Sequence, residues 1–127
     1  MINRRPFTAL EQDVFGLICE AQPELAAQLR PLLAAARMAR RDNTGHGFYT
    51  YVETDPLLPA VEWPARMIHG PNRLVQVGEA EMPMGFILWL EHGRPDCLEG
   101  FQFGTVAGDI DLNTYDLNGL SLLGEWP

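Results

Sequence analysis

Residues 86–103 read FILWLEHGRPDCLEGFQF, and this stretch decides the fold. The run from Phe86 to Glu91 and the run from Cys97 to Phe103 are rich in aromatic and aliphatic residues, which is typical of β-strands. Between them, residues 92–96 carry the glycine and proline of a turn. The sequence therefore predicts an antiparallel β-hairpin.

Upstream of this hairpin, two further runs have strand character. Phe48–Glu53 alternates aromatic and β-branched residues, and Leu74–Met82 is predicted as one more strand. The segment from Asp55 to Pro71 holds four prolines, so we predict a loop there with Trp63 as its anchor into the core.

The N-terminal part is helical. Thr8 and Glu11 form a capping box, in which each side chain can bond the backbone N–H of the other residue. Apolar residues then follow at helical spacing, which predicts one buried stripe. The stripe consists of Leu10, Val14, Leu17, Ile18 and Ala21.

Pro23 ends this helix and suits the first turn of a second one, with Leu25 and Leu29 facing inward. Pro31 disfavours a continuous helix through Leu32–Arg41, since an interior proline costs about 3 kcal/mol. The alanines of that stretch favour helix, so it stays open between helix and strand. Helices followed by antiparallel strands predict an α+β fold, with two N-terminal helices on one face of a mostly antiparallel sheet of about four to five strands.

The whole chain, residues 1–127, is predicted as a single domain, with residues 105–127 as a C-terminal arm. Within that arm, Gly108–Leu117 at first alternates acidic or amide residues with apolar ones. This pattern predicts a half-buried strand or extended arm whose carboxylates face water.

The net charge of −8 lies entirely in the C-terminal part. Residues 1–77 contain eight arginines and eight acids, whereas residues 78–127 contain nine acids and Arg94. An acidic field repels phosphate backbones and attracts basic partners, so nucleic-acid binding is disfavoured.

Several classes of protein and site are disfavoured. No run of 18 apolar residues exists to span a membrane, and the N-terminus lacks the apolar run of a signal peptide, so we expect a cytoplasmic protein. Cys19 and Cys97 suit a reducing compartment, although the sequence leaves open whether they are close. The chain has no lysine and therefore no P-loop, and its histidines and cysteines lack zinc-site spacing. We predict no cofactor and no metal.

Three motifs resemble a group of small uncharacterised bacterial α+β proteins. They are T-G-x-G-F-[FY]-T at residues 44–50, G-F-x-L-[FW]-x-E-x-G at residues 85–93 and L-E-G-[FY] at residues 98–101. The resemblance covers about residues 40–104. It implies the α+β fold and no particular activity, and the tail from Thr105 lies outside it.

His46, Glu99 and Trp89 are candidates for a pocket on the sheet. Two glycines flank His46, as a ligand-cradling loop requires, although a tight turn before a strand explains the same residues. Glu99 and Glu91 lie on the two arms of the hairpin and could form a carboxylate pair. The favoured alternative gives each an arginine partner, such as Arg40 or Arg41.

Two weaker patterns are also present. Cys97 and His92 could act as nucleophile and base across the hairpin turn, but a half-buried strand cysteine explains Cys97 better. Residues 109–113 begin like a calcium-binding loop, yet Thr114 and Leu120 stand where such a loop needs Gly and Glu. A solvated acidic surface is the natural interpretation.

The sequence favours a non-enzymatic protein-binding module, with the profile of an immunity protein that neutralises a basic toxin through its acidic C-terminal surface. The alternative is a small-molecule-binding protein or small enzyme with a site around the His46 loop and Glu99. A homodimer built on an exposed sheet face is a third option. The predicted partner-binding residues are Asp109, Asp111, Tyr115, Asp116, Glu125 and Trp126.

Overall fold

The computed structural model describes residues 7–103 and 110–125, with the backbone alone at Glu125. This part of the chain forms an α+β fold with an antiparallel sheet, as predicted, but with seven strands rather than four to five. The elements in chain order are α1 (Ala9–Ala21), α2 (Pro23–Ala34), β1 (Arg37–Asn43), β2 (Gly47–Glu53), β3 (Met67–His69), β4 (Arg73–Val77), β5 (Ala80–Glu91), β6 (Arg94–Gln102), two 3₁₀ turns (Leu112–Thr114 and Leu117–Gly119) and β7 (Ser121–Glu125).

Helix α1 begins at the predicted capping box. The backbone N–H of Glu11 donates to the Thr8 hydroxyl at 3.1 Å, and the backbone N–H of Thr8 donates to Glu11 Oε1 at 2.7 Å. These two bonds satisfy donors that the first helical turn would otherwise leave free. Of the predicted stripe, Leu10, Val14 and Ile18 are buried, whereas Leu17 is half-buried and Ala21 is exposed.

Helix α2 begins with Pro23 and buries Leu25 and Leu29, as predicted. Pro31 does not end it, because the helix continues to Ala34 before β1 begins at Arg37. Pro31 lies on the exposed side of the last turn, and Ala27, whose carbonyl a residue at position 31 would normally bond, is also exposed. Water can therefore reach that carbonyl, which lowers the cost of the missing N–H.

The strands follow the order β1-β2-β6-β5-β4-β7, and each pair of neighbours in this order is antiparallel. The predicted hairpin is β5–β6, and its turn is shorter than predicted. It consists of His92 and Gly93, whose φ angles of 52° and 75° are those of a type I′ turn, which matches the twist of the flanking strands. Arg94 to Asp96 already belong to β6.

Two predictions about the central strands were wrong. Leu74–Met82 is not one strand, because the chain reverses at Gly78 (φ 61°) to form the β4–β5 hairpin. The predicted loop of residues 55–71 contains β3, which pairs with the second half of β5. Trp63 packs against the core as predicted, and its indole N–H also bonds the carbonyl of Met67 at 3.0 Å.

Strand β5 is long enough to pair with two different strands along the same edge. Its first half, from Ala80 to Met84, pairs with β4, and the segment from Ile87 to Trp89 pairs with β3. Between them, the N–H of Gly70 donates to the carbonyl of Phe86 at 2.7 Å. The sheet therefore curls around one core.

The core lies between the two helices and one face of the sheet. The Thr50 side chain of β2 lies on this face, where its hydroxyl donates to the buried Glu11 carboxylate of α1. Fully buried side chains of the central strands point the same way, among them Met82, Met84, Phe86, Leu88 and Leu98.

The Glu11 carboxylate is almost fully buried and also binds Arg41. Arg41 Nε and Nη2 lie 2.9 Å and 2.6 Å from the two Glu11 oxygens. Planar two-point pairing of this kind is the strongest form of arginine–carboxylate contact. The sequence predicts Arg41 as a partner for Glu91 or Glu99. That prediction is wrong, because Arg41 binds Glu11 and so links β1 to α1.

Candidate functional sites

The described part of the C-terminal arm packs on its own domain. Leu112 and Leu120 are buried in the core, and β7 pairs with β4 at the edge of the sheet. Of the two alternatives predicted for residues 108–117, a half-buried strand or an extended arm with its carboxylates facing water, the strand is absent from the described part, which contains a 3₁₀ turn, while Asp111 and Asp116 are exposed. The strand comes later, at residues 121–125.

Asp111 and Asp116 are exposed, and each begins a 3₁₀ turn. Asp111 Oδ1 accepts from the backbone N–H of Asn113 at 3.0 Å, and Asp116 Oδ1 accepts from that of Asn118 at 2.9 Å. These bonds orient both carboxylates and leave the second oxygen of each free of the capping contact. No ion pair between described residues involves either aspartate.

Of the other predicted partner-binding residues, Tyr115 is the one whose side chain the structure describes. Tyr115 is 39% exposed, and its ring lies against Gly78 at the β4–β5 turn. Glu125 ends β7, but its side chain lies outside what the structure describes. Asp109 and Trp126 lie outside the described residues altogether.

The arm is fixed by the β1–β2 turn and by the end of β6. The N–H of Leu112 donates to the carbonyl of Gly45 at 2.8 Å, and the Asn43 side chain donates to the carbonyl of Leu112 at 2.9 Å. The Gln102 side chain bonds both the N–H and the carbonyl of Ile110. Hydrogen bonds from the amide side chains of Asn43 and Gln102 to backbone groups help to hold this segment in place, although it belongs to no β-ladder.

This use of Gly45 changes the interpretation of the His46 loop. Gly45 has a φ of 84°, and a Cβ there would lie 2.7 Å from Asn113 Nδ2. The glycine is therefore needed for a close approach of the chain's own arm. His46 itself bonds Gln102 through its carbonyl, at 3.2 Å.

Glu99 and Trp89 are in contact, as the pocket hypothesis requires, whereas His46 lies further along the sheet. The indole N–H of Trp89 donates to Glu99 Oε1 at 3.0 Å. His46 lies level with Gln102, three residues further along β6, which corresponds to about 10 Å along a strand.

Tyr49 is the member of this group that the sequence analysis missed. It lies opposite Glu99 in the β2–β6 ladder, close enough for the charge of the Glu99 carboxylate to act on its hydroxyl. The negative charge of Glu99 is the main cause of the raised pKa of Tyr49, followed by desolvation. The T-G-x-G-F-[FY]-T pattern contained Tyr49, but only the strand register shows what it faces.

The suggested carboxylate pair of Glu91 and Glu99 does not form. Glu91 lies opposite Arg94 beside the hairpin turn, whereas Glu99 lies opposite Ile87. Four residues of β5 separate the two positions, or about 13 Å. The expected arginine partners are also wrong, because Arg40 lies over the Tyr51 ring and close to Asp42.

Cys97 has the character of a strand cysteine rather than a nucleophile. It is 5% exposed, and burial is the main cause that raises its pKa to about 12. A thiol needs its thiolate form to react, so this environment suppresses reactivity. His92 is exposed in the turn, and Cys97 lies opposite Trp89 instead.

Within the described residues, no cluster of three or more His, Cys, Asp or Glu side chains is arranged to hold a metal ion. In the same part of the chain, no helix is both long enough and apolar enough to cross a membrane. A groove of about 460 Å³ lies beside α1 and the end of α2, lined mainly by apolar side chains such as Phe7, Phe15 and Leu33. No protein-family model, curated protein or solved structure matches the chain.

Proposed function

We propose that this protein is a non-enzymatic binding module for a basic protein, as an immunity protein that neutralises a toxin would be. The proposal is supported above all by the exposed carboxylates of Asp111 and Asp116, which are oriented by the chain and unpaired among described residues. The arm that carries them is anchored by buried Leu112 and Leu120. A basic partner would therefore meet carboxylates that are already in place.

The charge of the chain supports the same proposal. A net charge of −8 on 127 residues gives a long-range field that accelerates encounter with a basic protein. Tyr115, which is partly exposed and lies one residue from Asp116, would add an aromatic contact beside the acids. Carboxylates at the margin of an interface act mainly on the rate of association and on its salt dependence.

The test uses a basic candidate toxin domain encoded beside the gene for this protein. Its affinity would be measured by calorimetry at low and at high salt, for the wild type and for the charge-reversed variant D111R/D116R. We expect the double reversal to weaken binding at low salt by about tenfold or more. The matched control D13R/E62R reverses two exposed acids outside the arm and should change the affinity by less than about threefold.

Two outcomes would overturn the proposal. One is the absence of any association with the neighbouring basic protein. The other is an affinity that ignores both salt and the reversal of Asp111 and Asp116. Cleavage or modification of the toxin by this protein would replace binding with an enzymatic function.

A further inference from the structure

The face of the sheet turned away from the helices carries a second feature suited to a basic partner. We call it the outer face, and it consists of the side chains that alternate with the core residues along β1, β2, β6, β5 and β3. Strand register places them in two rows across the sheet. One row is Asp42, Tyr49, Glu99, Ile87 and His69, and the other is Arg40, Tyr51, Cys97, Trp89 and Met67.

Glu99 lies on β6, in the middle of the outer face, next to two neutral aromatic side chains. Trp89 Nε1 donates to it at 3.0 Å from β5, and Tyr49 lies opposite it on β2. All three side chains are partly exposed. The ion pairs formed among described residues do not include Glu99, so its charge is balanced by no arginine there.

The outer face already holds one guanidinium against an aromatic ring. Arg40 Cζ lies 4.2 Å from the centre of the Tyr51 ring, within the range of a cation–π contact. Tyr51 and Trp89 flank Cys97 in the same row, next to the row that contains Glu99. Glu99 therefore lies close to aromatic rings, one of which already binds a guanidinium, and its carboxylate forms no ion pair with a described residue.

We propose that Glu99, Trp89 and Tyr49 form a binding site for an arginine side chain of a partner protein. A carboxylate has about four acceptor positions, and the indole N–H of Trp89 occupies only one of them. A guanidinium matches the remaining oxygen positions in a planar fork and can stack on the neighbouring rings. The occupant is also of the charge that this acidic chain attracts.

This inference rests on the proposed function only in assuming a basic protein partner, since the site itself is separate from Asp111 and Asp116. Arginine is favoured over lysine because a lysine ammonium is a strongly hydrated point charge without a planar fork. Because Glu99, Trp89 and Tyr49 are all partly exposed, an arginine side chain can approach them from solvent. The site would therefore fix the position of a partner that the acidic field first attracts.

The test uses acetyl-arginine methylamide as a probe, titrated into ¹⁵N-labelled protein while the indole N–H signal of Trp89 is followed by NMR. We expect a saturable shift with a dissociation constant on the order of millimolar, as a single side chain allows. E99Q keeps an acceptor for Trp89 and removes the charge, and it should weaken binding by about tenfold or more. The control E91Q removes an exposed acid at the end of β5 and should leave the affinity within about threefold.

Three results would overturn the site: no saturable shift, equal losses in E99Q and E91Q, or equal binding of the uncharged citrulline analogue. If E99Q does not fold, the wild type still decides, because bound probe must show NOE contacts to the rings of Trp89 and Tyr49. The D111R/D116R variant should bind the probe normally. Loss of toxin binding in that variant then tests the proposed function, while probe binding tests this site.

Discussion

At the scale of single residues, the most consequential contact is the buried pair of Glu11 and Arg41. Glu11 is 1% exposed, and its carboxylate accepts four hydrogen bonds from three partners: two from the Arg41 guanidinium, one from the Thr50 hydroxyl and one from the backbone N–H of Thr8 in the capping box. One carboxylate thus caps α1 and also binds both β1 and β2. A buried charge with this many partners is costly to disturb, because its removal leaves the others unsatisfied.

We expect E11Q to lower the free energy of unfolding by about 3–5 kcal/mol, since Arg41 would keep a buried charge without its counterion. Urea denaturation followed by circular dichroism measures this directly. The matched control is E53Q, which removes the carboxylate of the exposed Arg37–Glu53 pair and should cost less than about 1 kcal/mol. Similar losses of unfolding free energy in the two variants would show that the buried pair stabilises the fold no more than the exposed pair does.

The sequence could predict half of this contact. The spacing of Thr8 and Glu11 is a local signal, since a capping box is complete within four residues. Arg41 lies 30 residues away in a stretch whose secondary structure was ambiguous, and its inward direction follows from the β1–β2 register. The same reason explains why Tyr49 was missed beside Glu99. Pairings across strands are set by tertiary register, which one sequence does not display.

At the scale of elements, local signals predicted the helices and the β5–β6 hairpin, while less local features were missed. Capping, apolar spacing and proline position mark α1 and the start of α2, and residues 92–93 mark the turn. Strand β3 has three residues within a proline-rich segment, and β7 gains its place only by pairing with β4. Short strands that depend on a neighbour leave little periodicity to detect.

Two glycines provide a matched test of how the arm is held. G45A should lower stability by about 1–3 kcal/mol, because Gly45 has a positive φ and an added methyl would press on the Asn113 side chain. G16A should instead raise stability by about 0.5–1 kcal/mol, since Gly16 lies inside α1 with open space at its Cβ position. Thermal melts of both variants check the two signs. A neutral G45A would show that the approach of the arm to the β1–β2 turn adds little.

At the scale of the whole molecule, the acidic arm is an integral part of the fold. Leu112 and Leu120 complete the core, and β7 extends the sheet beside α1. The arm therefore presents Asp111 and Asp116 from a fixed surface on the domain. This arrangement also places two candidate surfaces on one domain, the acids of the arm and the outer face around Glu99.

The stability of the folded molecule should fall in alkaline solution. Burial raises the pKa values of Cys19 and Cys97, the latter to about 12, and the charge of Glu99 raises that of Tyr49. The unfolded thiols lose their protons near the ordinary value of 9.0, while the folded thiols keep theirs. The folded state then binds more protons, so the free energy of unfolding decreases as pH rises, by up to about 1.4 kcal/mol per pH unit for each thiol.

Urea unfolding at a series of pH values from about 7.5 to about 10.5 would measure this slope. The double variant C19A/C97A lacks both thiols, so its free energy of unfolding should fall less steeply above about pH 9 even if its starting value is lower. A smaller slope should persist, because Tyr49 still holds its proton more tightly in the folded state. If the double variant declined as steeply as the wild type, mutual repulsion within this highly acidic chain, rather than thiol burial, would be the cause of alkaline unfolding.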